Sequence, residues 1–257
     1  MSTIPEFIIL IPYRDREAHK NVFLHHMPYI LEDVDSSTYE IAFIHQQDSK
    51  GFNRGAVKNI GFLYVKNKYP NHYKHITLVF HDVDIMPGKK GLWDYKTTKG
   101  TVKHFFGFTF ALGGIVSITG VDFEKCNGFP NLWGWGMEDN ALQNRCNTHN
   151  IKIDRSEFYP LNHKDILQYN NGYARVLDNT VTHKFNNIRN GISSINNVKY
   201  NVSTYTHCIQ HSIVNVTNWD IPEKEEDVVY ETKRNPAVIS QRKVNMGNIM
   251  KFNRKRK

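Results

Sequence analysis

The chain has 257 residues, 40% hydrophobic and 12% aromatic, enough apolar material for a sizeable core, which excludes wholesale disorder. Lys and Arg number 33 against 25 Asp and Glu, a formal net charge of +8; this admits a polyanionic partner, nucleic acid or a diphosphate ligand, without choosing between them. No apolar run approaches the roughly 18–20 residues that span a bilayer, so no membrane span is expected. The opening Met1-Ser2-Thr3-Ile4-Pro5-Glu6 carries no basic leader region, so a cytoplasmic location is expected, with recruitment to membranes by a partner left open.

Phe7 to Ile11, ended by Pro12, is a continuous apolar run that reads as a strand buried on both faces. Glu17 to Leu31 places Val22, Phe23, Met27, Ile30 and Leu31 at helical spacing, with Glu17 in the first turn where the helix dipole favours an acid. A second strand follows at Tyr39 to Ile44, a second helix at Ala56 to Tyr69 and a third strand at Ile76 to Phe80. Strand alternating with helix implies right-handed crossovers and a parallel sheet covered by helices, with ligands beyond the carboxyl ends of the strands. Polar clusters fall at those ends: Arg14-Asp15-Arg16, Gln46-Gln47-Asp48 and Asp82-Val83-Asp84. From Trp93 to Trp135 the chain is rich in glycine and aromatics and reads as strands and loops, with Gly113-Gly114 marking a close backbone approach. Glu138 to His149 reads as a helix; beyond Asp178 the sequence is Asn-rich and weakly patterned. A domain over 1–221 and a charged tail over 222–257 are expected. Cys126, Cys146 and Cys208 form neither a disulfide framework nor a metal pattern and read as reduced structural thiols.

Strand alternation sets Asp82 and Asp84 on one side, with Val83 pointing the other way. Two close carboxylates repel unless a cation joins them, which suits a hard divalent metal able to clamp a diphosphate; a solvated loop-capping pair is the alternative. Arg14 and Arg16 suit bidentate phosphate or carboxylate recognition, or a basic surface turn. Arg54, after Gly51-Phe52-Asn53, is placed to stack on a base or to cap a helix start. In Asn127 to Asp139, two tryptophans interleaved with glycines make poor core, whereas an exposed indole offers a flat face to a sugar ring. Glu138 and Asp139 are either dipole partners of the helix they open or include a general base for a hydroxyl.

Ile11-Pro12-Tyr13-Arg14-Asp15-Arg16, Phe52-Asn53-Arg54, Asn59-Ile60-Gly61-Phe62, His81-Asp82-Val83-Asp84, Gly113-Gly114 and the Trp133-Gly134-Trp135-Gly136-Met137-Glu138-Asp139 string occur in one order. In this the chain resembles the β1,4-galactosyltransferase family, glycosyltransferase family 7, from about Phe7 to Tyr200. The resemblance implies an α/β, GT-A type Rossmann-like nucleotide-sugar-binding domain with a mixed central sheet. It also implies inverting transfer from a UDP-sugar to a glycan hydroxyl with Mn²⁺. Pro12, Tyr13, Arg14 and Arg16 would hold uridine and diphosphate; Phe52 and Arg54 would pack on the uracil. Asp82 and Val83 would meet the nucleotide-sugar, and Asp84 and His163 would ligate the metal. Trp135 would close over the bound sugars, and Glu138 and Asp139 would hold the acceptor, with Asp139 as the base. The chain departs from the family at Pro160, where better-known members place a metal-binding Met. It departs again at Ala111-Leu112, where a Tyr is common; the smaller residue would admit an N-acetylhexosamine as well as galactose. Positive charge gathers in the terminal Lys251 to Lys257 stretch rather than among sheet aromatics, so no nucleic-acid partner is expected.

Overall fold

A computed structural model describes residues 3–134, 136–169 and 189–222, together with the backbone strands at 177–178 and 230–231. Strand β1, Phe7–Tyr13, is buried at every position. It pairs in parallel with β2 (Tyr39–Gln46) on one side and β3 (Thr77–His81) on the other. The crossovers are helices α1 (Glu17–Ile30) and α2 (Arg54–Lys68). Because side chains alternate along a strand, β1 serves two cores: Phe7, Ile9 and Ile11 pack with Phe23 and Met27 of α1, while Ile8 and Leu10 pack with Val57 and Ile60 of α2. Helix α2 begins two residues before its apolar pattern does because buried Asn53 caps it, its Oδ1 accepting from the Ala56 N–H at 2.9 Å.

Next come β4 (Ile85–Pro87), β5 (Thr101–Gly107), β6 (Ile115–Thr119), the short helix α3 (Gly120–Lys125) and α4 (Glu138–Thr148). They are followed by β7 (Lys152–Asp154), β8 (Tyr159–Pro160), β9 (Ile166–Gln168), β10 (Leu177–Asp178), β11 (Asn196–Tyr205), β12 (His211–Asp220) and β13 (Tyr230–Glu231). The main sheet runs β11-β12-β2-β1-β3-β6-β5-β7, with β8 also on β5. β12, β2, β1 and β3 are parallel; β6 and β11 run antiparallel to their inner neighbours, giving the mixed sheet expected. Small antiparallel pairs join β4 to β9 and β10 to β13.

The weakly patterned stretch after 178 contributes β12, which completes the sheet against β2, with Val214, Val216 and Trp219 fully buried. The signal was weak because β11 lies at the sheet's edge and is largely exposed, so it carries little apolar alternation. Trp133 is not an exposed indole: it is buried with its ring 5.3 Å from that of Trp219. Cys126 and Cys146 are buried and reduced, their sulfurs 3.9 Å apart, and Cys208 is exposed. Among the described residues no helix is long and apolar enough to cross a membrane. The tail beyond 222 lies outside the described residues, apart from the backbone of β13.

Candidate active site

The first residue of α2 organises the site. The Arg54 guanidinium bonds the Asp82 carboxylate with one nitrogen. With the other it reaches Glu138 Oε1 at 2.6 Å and Asp139 Oδ2 at 3.0 Å. One turn further along α2, the Lys58 ammonium lies 3.0 Å from Asp139 Oδ1. Residues four apart share a helix face, so both cations point at one place. Three carboxylates meet two cations here, leaving one negative charge in excess. Glu138 is 4% exposed and Lys58 3%, so these charges interact in a medium much less screening than water. Burial alone would raise the Asp139 carboxyl, but Arg54 and Lys58 outweigh it and hold the group below the ordinary aspartate range. The same carboxylates keep Arg54 firmly protonated despite its burial.

Backbone geometry delivers Glu138 and Asp139 to this point. Met137, just before α4, is left-handed at φ 66°, and the Gly136 N–H donates to Glu138 Oε2 at 3.1 Å. The Asp139 carbonyl accepts from the Leu112 N–H at 3.1 Å, and the Asp82 N–H donates to the Gly114 carbonyl at 3.0 Å. The Gly113-Gly114 turn thus touches both acidic segments. A Cβ on Gly113 would lie 2.4 Å from Asp139 Oδ2, which explains the requirement for glycine.

Asp82, Arg54, Glu138 and Asp139 are therefore brought together, and Lys58 joins them. Asp82 to Asp84 form a turn rather than a strand end, the Ile85 N–H reaching the Asp82 carbonyl at 3.4 Å. The alternation expected there does not apply. Val83 is buried in the α1-side core, and Asp84 lies near His19 of α1, whose ring burial holds below the ordinary imidazole range while the charge of Asp84 opposes that shift. The register of β4 against β9 sets Tyr169 opposite Asp84, with its N–H 2.7 Å from the Asp84 carbonyl. His163 falls past the other end of that ladder; its Nδ1 accepts from the Asp165 N–H at 3.2 Å and its ring packs on Tyr159.

At the end of β1, Pro12 and Tyr13 are buried, and the Tyr13 hydroxyl donates to Glu17 at 2.7 Å. Arg14 bonds the carbonyls of Lys50 and of Asp48, the latter at 3.0 Å, closing the loop after β2. Arg16 donates to the Asp15 carbonyl at 3.2 Å. Phe52 is half-buried against the α2-side core. Trp135 lies outside the described residues.

Sequence reasoning missed three supports. Lys58 falls within an apolar helix pattern, so nothing marked it. Asn59, fully buried on α2, donates to the Phe129 carbonyl at 2.7 Å and Asn131 Oδ1 at 2.8 Å, and accepts from the Phe129 N–H at 2.9 Å. It pins the loop that leads into α4. His104 of β5 has Nε2 3.0 Å from the Phe106 carbonyl and 3.1 Å from that of Gly113, while Nδ1 accepts from Arg155 at 3.1 Å. This fixes the glycine turn. Asp48, by contrast, is a structural hub after β2, taking bonds from Gln46 and from the Trp219 indole.

The sheet, its two helix-covered faces and the acidic cluster beyond β3 define a GT-A type α/β fold. The catalytic domain of Drosophila β1,4-galactosyltransferase 7 in complex with xylobiose superposes with a TM-score of 0.67 at 22% identity, over 83% of this chain and 94% of that one. A mutant of the same enzyme in complex with manganese, UDP-Gal and xylobiose gives 0.66. The model of the N-terminal region of glycosyl transferase group 7 matches residues 3–93, and that of the N-terminal domain of galactosyltransferase matches residues 101–171. Mouse β-1,4-galactosyltransferase 5 is 29% identical over 221 residues, 81% of this chain and 55% of that protein. Mouse β-1,4-galactosyltransferase 4 is 34% identical over 158 residues, 57% of this chain and 44% of that protein. The chain belongs to the β1,4-galactosyltransferase family, glycosyltransferase family 7. It spans about half the length of the curated relatives it matches.

Proposed function

We propose that the chain is an inverting, Mn²⁺-dependent glycosyltransferase that moves galactose or an N-acetylhexosamine from a UDP-sugar to a sugar hydroxyl. The observation that carries this reading is the convergence of Asp82 with Glu138 and Asp139 on one guanidinium, Arg54. Residues separated by more than fifty positions become neighbours, as a single displacement between donor and acceptor requires. The family membership and the neighbour's complex with manganese, UDP-Gal and xylobiose support it.

In this reading Asp82 meets the donor sugar, Glu138 orients the acceptor, and Asp139 takes the proton of the attacking hydroxyl on the face away from the leaving UDP. Among the described residues no three His, Cys, Asp or Glu side chains gather to hold a metal. Together with His163, Asp84 would hold the metal at a site that donor phosphate oxygens complete, rather than in an all-protein cage. Its carboxylate is the oxygen ligand that Mn²⁺ accepts. When bound, the metal supplies Lewis-acid stabilisation of the departing diphosphate. The Arg54 and Lys58 cations keep the base ionised.

A UDP-release assay tests the reading with UDP-Gal, UDP-GalNAc, UDP-Glc and UDP-GlcNAc, with and without Mn²⁺, and with GlcNAc, glucose and xylose as acceptors. Acceptor-dependent release from a galactose-configured donor, only with metal, is expected. Comparable rates with UDP-Gal and UDP-GalNAc would match the small Ala111; a clear preference for UDP-Gal removes the N-acetylhexosamine part. No acceptor-dependent release from any donor overturns the whole.

A further inference from the structure

Asp139 has two oxygens, and the structure treats them differently. Oδ1 lies 3.0 Å from the Lys58 ammonium and 3.2 Å from Arg54, whereas Oδ2 lies 3.0 Å from Arg54 with no contact to Lys58, against the open Cα face of Gly113. The two cations are not equivalent either. Arg54 divides its nitrogens among Asp82, Glu138 and Asp139, whereas Lys58 has one carboxylate partner. Lys58 is buried to 3% exposure and sits 4.2 Å from the centroid of the Phe129 ring, so its head is held between a carboxylate and an aromatic face. The contact of Arg54 with Oδ2 must open before a hydroxyl can approach that oxygen. The contact of Lys58 with Oδ1 need not.

We propose that Lys58 is a positioning residue for the transfer reaction: it holds Asp139 by Oδ1 throughout and leaves Oδ2 as the oxygen that receives the acceptor's proton. This rests on the glycosyltransferase reading above. The acceptor O–H bond breaks and its proton passes to Oδ2. The oxygen's electron pair forms the new bond to the sugar's anomeric carbon, and the bond from that carbon to UDP breaks with its electrons leaving on the diphosphate. The charged and titratable groups around Asp139 are Arg54 and Lys58 from α2, Glu138 from α4, Asp82 from the turn after β3, and His104 from β5. Once Arg54 opens, Lys58 is the cation among these that stays on Asp139 against the repulsion of two acids.

Lys58→Met keeps the volume and removes the charge. In that variant the acid limb of kcat/KM is expected to move to higher pH, and kcat to fall on the order of 10–100-fold with the donor KM little changed. Lys58→Arg should restore part of the rate and return the limb towards its original position. Carbon-13 NMR of the Asp139 carboxyl in the ligand-free proteins provides a readout independent of turnover, its titration midpoint being higher in Lys58→Met than in wild type. Should Lys58→Met not fold, Lys58→Gln gives the same two measurements. An active wild type whose Lys58→Met variant keeps the same midpoint and the same pH profile overturns the role of Lys58 alone. A wild type that turns over no UDP-sugar overturns the functional reading, and the proton-accepting role with it, even where the midpoint moves.

Discussion

Asp139 combines two demands that ordinarily conflict, being buried and staying charged. An unpaired buried carboxylate would take up a proton, and here Arg54 and Lys58 prevent it. Asp139→Asn keeps the shape and removes the proton acceptor, so transfer should fall by about 10²–10⁴-fold while UDP binding survives. Isothermal titration with UDP alongside the release assay checks both halves, and unchanged turnover would reject Asp139 as the base. Gly113 offers a second test. Its substitution by Ala places a methyl group 2.4 Å from Oδ2, so the carboxylate must shift. A rate loss of about 10²-fold is expected with the fold intact, readable as a lower kcat and an unaltered circular dichroism spectrum. These acids and Arg54 stood out in the sequence by residue type and by place at a strand or helix end. Their pairing did not, because salt-bridge partners 28 to 85 residues apart leave no periodic trace.

At the scale of elements, apolar runs and periodicity located β1, α1, β2, α2 and β3 to within about two residues, since each has a buried stripe or run of its own, and the helix read from Glu138 to His149 matches α4. It failed where burial comes from a neighbour: β12 gains its core positions by lying on β2, and Trp133 by lying on Trp219. Polar anchors are equally hidden, because an asparagine inside a helix carries no mark of being buried. Asn59 satisfies both backbone groups of Phe129 and the Asn131 side chain, whose own amide bonds Gly191 at 2.8 Å and Ser194 at 3.0 Å. One amide thereby links α2, the loop into α4 and the turn before β11. Asn59→Ala strands several buried polar groups at once, and a loss of about 2–4 kcal/mol is expected. Urea unfolding at neutral pH measures it, and a loss under about 0.5 kcal/mol would mean that water replaces the amide.

The whole molecule should be sensitive to acid for a reason separate from its carboxylates. His81 and His104 are almost wholly buried, and burial pushes each ring's pKa down to about 4. His104 has a defined use for neutrality. With Nδ1 accepting from Arg155, its Nε2–H donates to the Phe106 and Gly113 carbonyls, and protonating Nδ1 would turn that acceptor against a guanidinium. In the unfolded chain both rings titrate near the ordinary value of about 6.5. Between about pH 6.5 and pH 4 the unfolded state therefore binds protons that the native state refuses, and stability falls as pH falls. Two such groups give a slope approaching ~2.7 kcal/mol per pH unit in mid-window. Over the whole window the loss approaches about 7 kcal/mol, a large share of a typical total of roughly 5–15 kcal/mol. Urea midpoints at pH 7, 6 and 5 should drop progressively, and His104→Gln, which retains a donor where Nε2–H stands, should shed about half of the slope. Midpoints that stay level down to pH 4.5 would show that these rings titrate normally, and that the glycine turn beneath Asp139 does not depend on a neutral imidazole.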